Sequence, residues 1–148
     1  MNRYRMRFAP RVWTPSLSPT LVQWLRPFRD RQRERDVRIS EVEVSGEAHV
    51  REQLDQGNGI MIMPNHSSHA DPHVIYAAAD KAGTPLHVMA TWHVFHDQSP
   101  IVQWALRKHG CFSVDREAND IGAFRVASGI LKDNKEPLVI FPEGEIYH

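Results

Sequence analysis

The sequence lacks several features that mark secreted, membrane-spanning or dinucleotide-binding proteins. Its one cysteine, Cys111, cannot form a disulfide within the chain and is compatible with a reducing compartment. No apolar run approaches the ~18 residues needed to span a bilayer, and the arginine-rich start lacks the apolar stretch of a signal peptide. Gly57 and Gly59 precede a predicted strand, the wrong order for a dinucleotide-binding glycine loop. We therefore expect a cytoplasmic protein.

The formal net charge is zero, but the charges are unevenly distributed along the chain. Residues 1–40 contain ten arginines and three acidic residues, whereas residues 41–148 contain eight basic and fifteen acidic residues. A basic arm of this kind is expected to meet phosphate, on nucleic acid or on anionic lipid headgroups. Its apolar residues fit a short helix with one apolar side, interrupted by Pro27, and favour a membrane surface over nucleic acid: Leu21, Val22, Trp24, Leu25 and Phe28. A solvated helix packed against the domain is the alternative.

Beyond the arm, short apolar runs alternate with helical stretches. Strands are predicted at 37–44, 60–63, 86–90, 111–114 and 137–141, and helices at 47–56, 72–81 and 120–131. A further helix is predicted to begin with Ser99 as N-cap and Pro100 as first residue, and to stop at Gly110. The pattern predicts an α/β fold over residues 37–148, a layered sheet with parallel pairing and crossover helices, preceded by a basic amphipathic arm over residues 1–36.

Polar clusters follow three of the predicted strands. They are residues 64–71, Asp115-Arg116 and residues 142–145. Because chemistry in such sheets concentrates at the carboxyl ends of the strands, we expect these three clusters to converge.

The first cluster contains His66 and Asp71, which would point about 140° apart on a continuous helix. Asp71-Pro72 has the form of an N-cap followed by a first-turn proline, so residues 65–70 are predicted to be a loop that folds His66 back onto Asp71. A carboxylate on one imidazole nitrogen would make the other nitrogen a general base. Two alternatives stay open. Asp71 could only cap the helix, or the cluster could bind zinc through His66, His69, Asp71 and His73.

Three segments together resemble blocks of the glycerolipid acyltransferase family, which includes the lysophosphatidic acid acyltransferases. They are Asn65-His66-Ser67-Ser68-His69-Ala70-Asp71, Gly110-Cys111-Phe112-Ser113-Val114-Asp115-Arg116 and Phe141-Pro142-Glu143-Gly144. They match the family's NHxxxxD block, its glycine-led strand ending in arginine, and its FPEG block. Each block alone is a weak signal, but three in order over roughly residues 40 to 145 are a strong one.

The resemblance implies a glycerolphosphate-acyltransferase-like fold and transfer of a fatty acyl group. His66 would deprotonate the hydroxyl of a lysophospholipid or glycerol phosphate, oriented by Asp71, and the oxygen would attack acyl-CoA or acyl-carrier protein. The substrate-binding residues implied are Asn65, Arg116, Phe141, Pro142, Glu143 and Gly144. No metal and no cofactor are expected beyond the acyl thioester. We expect the protein to be cytoplasmic and peripherally bound to an anionic membrane through the arm, without a nucleic-acid partner.

The chain departs from the family pattern in two places. Glu145 follows the FPEG block where the family usually has threonine and then arginine. A carboxylate at this position favours a phosphorylated acceptor less and allows another hydroxyl or amine acceptor. The family's fourth block, an apolar segment with proline, is not reached by His148, so we expect the domain to lack its C-terminal part. A metal-dependent hydrolase and a non-catalytic lipid-binding module are the alternatives to the transferase.

Overall fold

A computed structural model of the protein describes residues 11–133 and 135–144. Residues 1–10 of the arm and Glu145, where the family pattern changes, lie outside the described residues. The elements follow one another as α1 Pro19–Trp24, α2 Arg26–Val37, α3 Glu47–Asp55, β1 Met61–Ile62, α4 Asp71–Ala82, β2 His87–Thr91, α5 His93–His96, α6 Pro100–Lys108, β3 Cys111–Val114, α7 Ile121–Asp133 and β4 Leu138–Val139. No helix within the described ranges has the length and apolar character needed to cross a bilayer.

The four strands form one sheet in the order β1-β4-β2-β3, and every neighbouring pair is parallel. Parallel neighbours need crossover connections, which the helices between the strands supply. The predicted α/β fold with parallel pairing is therefore confirmed. All four strands end on the same side of the sheet, which we call the carboxyl edge. Three of the four are shorter than or shifted from the apolar runs that predicted them, since only part of each run pairs with a neighbour.

Helices cover both faces of the sheet, so its strands are buried on two sides. Val88 and Val139 point to the face covered by α4 and α6, where Trp92 and Phe95 complete the larger apolar cluster. Leu138 and Phe112 point to the opposite face, where α7 packs. Burial on both faces explains why these strands appear in the sequence as continuous apolar runs rather than as alternating ones.

The described part of the arm packs against the domain. The backbone of Trp13 pairs with Ser113 on the outer strand β3, and its ring stacks on Phe95 at 5.3 Å. From α2, Arg29 binds both carboxylate oxygens of Asp80 at 2.7 and 2.6 Å. These contacts fix the rotation of α2 about its axis, although Trp24 and Phe28 remain 75% and 66% exposed.

The prediction of a strand at residues 37–44 is wrong. Val37 is the last residue of α2, which ends where Arg38 adopts a positive φ of 57°, and no strand lies between 38 and 46. Arg33, itself buried, reaches over to the carbonyl oxygens of Ile39 and Ser40 at 3.1 and 3.5 Å. This segment is therefore held against α2 by a side chain rather than by a neighbouring strand. Alternation of apolar and charged residues predicts a strand but not the partner that a strand requires.

The predicted interruption at Pro27 and the predicted N-cap at Ser99 are both confirmed. Pro27 lies in the first turn of α2, directly after α1 ends. The hydroxyl oxygen of Ser99 accepts a hydrogen bond from the N–H of Val102 at 3.5 Å, at the start of α6. Both sites follow rules that depend only on neighbouring residues, which is why sequence alone sufficed.

Gly110 is the glycine on which the start of β3 depends, because its φ is +85° and a Cβ there would overlap the carbonyl oxygen of Leu86. We expect Gly110→Ala to lower the free energy of unfolding by about 2 to 4 kcal/mol, through backbone strain and overlap with main-chain atoms that cannot move aside. Urea denaturation would measure the loss. Gly129→Ala is the matched control: a Cβ at this glycine of α7 meets nothing within 4 Å, so the protein should gain about 0.5 to 1 kcal/mol. Equal stability of the two variants would contradict the expectation.

Candidate active site

The loop between β1 and α4 is closed by a single carboxylate oxygen. Oδ2 of Asp71 accepts hydrogen bonds from Nδ1 of His66 at 2.9 Å, from the N–H of Ser67 at 2.8 Å and from the N–H of Ser68 at 2.9 Å. Two residues five apart in sequence are thereby brought into direct contact. The predicted fold of His66 back onto Asp71 is present in the structure.

Asp71 does not act as the N-cap that its sequence position predicted. Ala70 occupies the cap position with helical backbone angles, and Asp71 is already the first residue of α4. Turn hydrogen bonds from Asp71 N–H to Ser68 O and from His73 N–H to Ala70 O begin the helix earlier than expected. The carboxylate is therefore directed back to the loop instead of forward to the first turn of the helix.

The electrostatics of the pair fix the position of the shared hydrogen. Partial burial opposes the charge of Asp71, but the hydrogen bonds from His66, Ser68 and Ser67 outweigh it and hold the pKa of this carboxyl below its usual value. An ionised carboxylate can only accept, so Nδ1 of His66 must carry the hydrogen. The neutral imidazole then has its lone pair on Nε2, which is the nitrogen able to take a proton from a substrate.

The third sequence block lies beside the first because β4 pairs with β1. The ring of Phe141 packs on the ring of His66, with centroids 4.4 Å apart and planes inclined by 33°. After Phe141 the chain turns sharply, since the N–H of Gly144 donates to the carbonyl oxygen of Phe141 at 3.1 Å and Gly144 has a φ of +69°. Pro142 and Glu143 form the exposed tip of this turn.

Arg116 connects the second block to the third. It follows β3 at the carboxyl edge, is exposed, and donates from its guanidinium to the carbonyl oxygen of Gly144. Since β2 lies between β3 and β4, this contact passes across the end of β2. Strands β1 and β3 are the two outer strands, so Arg116 and His66 start from opposite ends of the edge rather than from neighbouring strands.

The remaining predicted residues occupy the same edge without forming a metal-binding cluster. Asn65 and His69 are exposed on the loop, and His73 is half-buried in the first turn of α4. Among residues 11–133 and 135–144, no three His, Cys, Asp or Glu side chains are grouped so that they would hold a metal ion. The geometry therefore does not favour the metal-dependent hydrolase.

Cys111 lies in the core beneath α4 and α6. Burial raises the pKa of its thiol to about 11, and the hydroxyl of Tyr76 lies 3.1 Å from its sulfur. A thiol that stays protonated at neutral pH is a poor nucleophile.

Two features of the carboxyl edge were not predicted from the sequence. The end of β2 carries Thr91, Trp92 and His93, with Thr91 Oγ1 3.1 Å from Nδ1 of His93 and the His93 ring stacked on Trp92 at 3.9 Å. The signal was available, because polar residues follow this apolar run as they follow the other three. The second feature is an apolar cavity of about 510 Å³ between the sheet and α7, which Met61, Met89, Phe124, Leu138 and Ile140 line and which Arg116 borders.

Comparison with known families gives a match over most of the chain. The family model described as Acyltransferase matches residues 41–148. The chain belongs to this acyltransferase family. It is the family of glycerolipid acyltransferases such as the lysophosphatidic acid acyltransferases, so the resemblance drawn from the three blocks is confirmed. Searches of curated proteins and of solved structures gave no match.

The lowered pKa of Asp71 predicts how the free energy of unfolding changes at acid pH. A carboxyl whose pKa is lower in the folded than in the unfolded state stabilises the fold above its unfolded pKa, and this contribution disappears as pH falls through the folded pKa. We expect the free energy of unfolding of the wild type, relative to Asp71→Asn, to be constant above about pH 5 and to decrease below about pH 4. Urea denaturation across this range measures it. A difference independent of pH would show that the hydrogen bonds do not stabilise the charged form.

Proposed function

We propose that the protein transfers a fatty acyl group from an acyl thioester, acyl-CoA or acyl-carrier protein, to a hydroxyl of a lysophospholipid or glycerol-phosphate-like acceptor. The observation that carries this proposal is the 2.9 Å contact between His66 Nδ1 and Asp71 Oδ2 in a chain of the acyltransferase family. The contact supplies an oriented base where that chemistry requires one.

In the proposed reaction, Nε2 of His66 removes the proton from the acceptor hydroxyl as its oxygen attacks the carbonyl carbon of the thioester. Asp71 stabilises the imidazolium that forms, because its carboxylate accepts the hydrogen bond from Nδ1. The tetrahedral oxyanion then collapses, the C–S bond breaks, and the departing thiolate takes the proton from His66. The products are the acyl ester and the free thiol, with no acyl-enzyme and no cofactor beyond the thioester.

Stabilisation of the oxyanion needs donors that are not already engaged. The N–H groups of Ser67 and Ser68 donate to Asp71, so we assign the oxyanion donors to other backbone groups of the carboxyl edge. Asn65 precedes His66 on the exposed side of the loop and is assigned to substrate binding, as are Pro142 and Glu143 at the tip of the turn.

The proposed acceptor site lies around Arg116 and the Phe141–Gly144 turn. A guanidinium remains charged at any working pH and can bind a phosphate through two parallel hydrogen bonds. The contact with Gly144 supports the assignment, because it ties the side chain of Arg116 to the turn that begins beside His66.

The acyl chain is assigned to the cavity under α7. Its volume of about 510 Å³ falls within the range of about 300 to 1,000 Å³ typical of ligand pockets, and its lining is mostly apolar. Because Arg116 borders it, a chain lying there would meet the acceptor at the carboxyl edge. For a substrate of this kind we propose a cytoplasmic protein bound peripherally to anionic membrane through the arm.

The base is tested by His66→Ala. We expect the rate of acyl transfer from labelled acyl-CoA to fall by about 10² to 10⁴ because the proton acceptor is lost. His69→Ala, an exposed histidine of the same loop, is the matched control and should transfer at the wild-type rate. Unfolding curves of both variants would establish that they are folded.

Two outcomes would contradict this assignment. Undiminished transfer by His66→Ala would remove the general base. Equal loss in both variants would instead indicate that the whole histidine cluster acts together, as the hydrolase alternative requires.

The acceptor site is tested by Arg116→Gln. Loss of charge-assisted hydrogen bonds should raise the KM for lysophosphatidate about tenfold to a hundredfold, with a smaller effect on the KM for uncharged monoacylglycerol. Arg116→Lys should give an intermediate KM, since it keeps the charge but not the planar geometry. Arg125→Gln on the exposed side of α7 is the control for charge alone. An unchanged KM for the phosphorylated acceptor would remove Arg116 from the site.

A further inference from the structure

His109, the residue that follows α6, lies between a main-chain carbonyl group and a guanidinium. Its Nδ1 is 2.8 Å from the carbonyl oxygen of Ala105, and its Nε2 is 3.2 Å from a terminal nitrogen of Arg29 on α2. A carbonyl oxygen only accepts, so Nδ1 must carry a hydrogen. A guanidinium only donates, so Nε2 must offer its lone pair. Only a neutral imidazole satisfies both contacts.

The polar attachment of α2 to the helices after it depends on one side chain. Within residues 11–133 and 135–144, all hydrogen bonds from α2 to residues beyond Ser40 come from Arg29. Besides His109, its guanidinium binds both carboxylate oxygens of Asp80 on α4, at 2.7 and 2.6 Å. Its Nε is buried and has no hydrogen-bond partner in the same ranges, so the docked arrangement already leaves one donor unsatisfied.

The groups that face His109 from the packed helices differ in charge. Arg29 on α2 opposes a positive imidazole, whereas Asp80 on α4 favours one but is already neutralised by Arg29. Tyr76 on α4 meets the His109 ring edge-on at 5.9 Å, and burial raises the pKa of its hydroxyl, so it adds no charge. Further titratable or charged groups line the groove between α2, α4 and α6, lie behind Tyr76, or adjoin His109 on α6 and bind the arm: Asp30, Arg33, His73, Cys111, Arg107 and Lys108.

We propose that Arg29 and His109 form a pH-sensitive latch, in which proton uptake by His109 releases α2 from α4 and α6. A proton from solvent on Nε2 would occupy the lone pair to which Arg29 donates and would set two positive groups 3.2 Å apart. The docked arrangement fits the neutral imidazole alone, so acid pH favours the released one. The latch does not depend on the acyl-transfer step.

The direction of the pH effect follows from the pKa of His109, which burial, and after it Arg29, lower against the opposing pull of the Ala105 carbonyl and Asp80. Above about pH 6.5 the imidazole is neutral in both arrangements, and release is independent of pH. Below it, the released arrangement binds a proton that the docked one does not. Release should therefore increase by up to about tenfold per pH unit, since one proton is involved, until the pKa of the docked arrangement is passed.

Hydrogen exchange of the full chain between pH 8 and 5, corrected for the intrinsic pH dependence of amide exchange, tests the latch. Amides of α2 should be less protected than those of α7 at every pH, and their protection should fall by up to about tenfold per pH unit below pH 6.5. His109→Gln keeps a side-chain acceptor for Arg29 but does not titrate, so the protection of α2 should not change with pH. Arg29→Met removes the donor and should leave α2 weakly protected at pH 8, without the pH dependence.

His87→Gln is the matched control. His87 is also a buried histidine whose pKa is lowered by burial, but it lies at the start of β2 beside Gly110 and Glu136. Its replacement should leave the pH dependence of α2 as in the wild type.

Three outcomes would overturn the latch. The first is a wild-type α2 whose protection does not change between pH 8 and 5. The second is the same pH dependence in His109→Gln or Arg29→Met as in the wild type. The third is equal protection of α2 and α7 with loss of the α2 response in His87→Gln, because α2 would then exchange only when the whole protein unfolds. None of these measurements uses acyl transfer, so a failure of the proposed reaction would leave the latch standing.

Discussion

The geometry of the candidate active site depends on one oxygen atom, Oδ2 of Asp71. It accepts three hydrogen bonds, two from the main chain and one from the imidazole, so that the same atom shapes the loop and orients His66. Ordering a loop residue costs about 1 to 2 kcal/mol, and a hydrogen bond to a charged group contributes about 1.5 to 3 kcal/mol, so three such bonds are of the size needed to hold residues 66–70 in one conformation. The orientation of the His66 imidazole and the stability of the loop are therefore not separable at Asp71.

The parallel sheet provides the second constraint. Its order places β4 between β1 and β2, although β4 is the last strand in sequence, and this brings Phe141 beside His66 across 75 residues of chain. Arg116 then reaches Gly144 over the end of β2. Both of these contacts between blocks, His66 with Phe141 and Arg116 with Gly144, thus involve the Phe141–Gly144 turn. The turn fits this central position because its glycine, with φ +69°, allows the chain to reverse within hydrogen-bonding distance of Arg116.

Local signals in the sequence predicted much of the fold, and the errors have physical causes. Ser99 with Pro100, Pro27 and the apolar runs of the strands were interpreted correctly, since each depends on neighbouring residues or on burial. The strand predicted at 37–44 does not form. Arg33 binds two carbonyl oxygens of this segment, those of Ile39 and Ser40, which a strand would pair with a neighbouring strand. Asp71-Pro72 has the sequence of an N-cap followed by proline, but the carboxylate of Asp71 accepts hydrogen bonds from the preceding N–H groups of Ser67 and Ser68 instead. The cavity under α7 was not predictable from local signals, because all four strands and a helix line it together.

The sheet separates two apolar regions, one on each of its faces. Along β4 and the residues after it, Leu138 and Ile140 face the cavity under α7, whereas Val139 and Phe141 pack with the core beneath α4 and α6. Successive side chains of one strand therefore serve opposite faces, and Phe141 is where the α4–α6 face reaches His66. The proposed reaction joins a hydrocarbon chain to an acceptor delivered from a membrane. A parallel sheet suits this proposed task, since the cavity assigned to the hydrocarbon chain and the ring of Phe141 lie on opposite faces, while Arg116 and His66 both lie at the carboxyl edge.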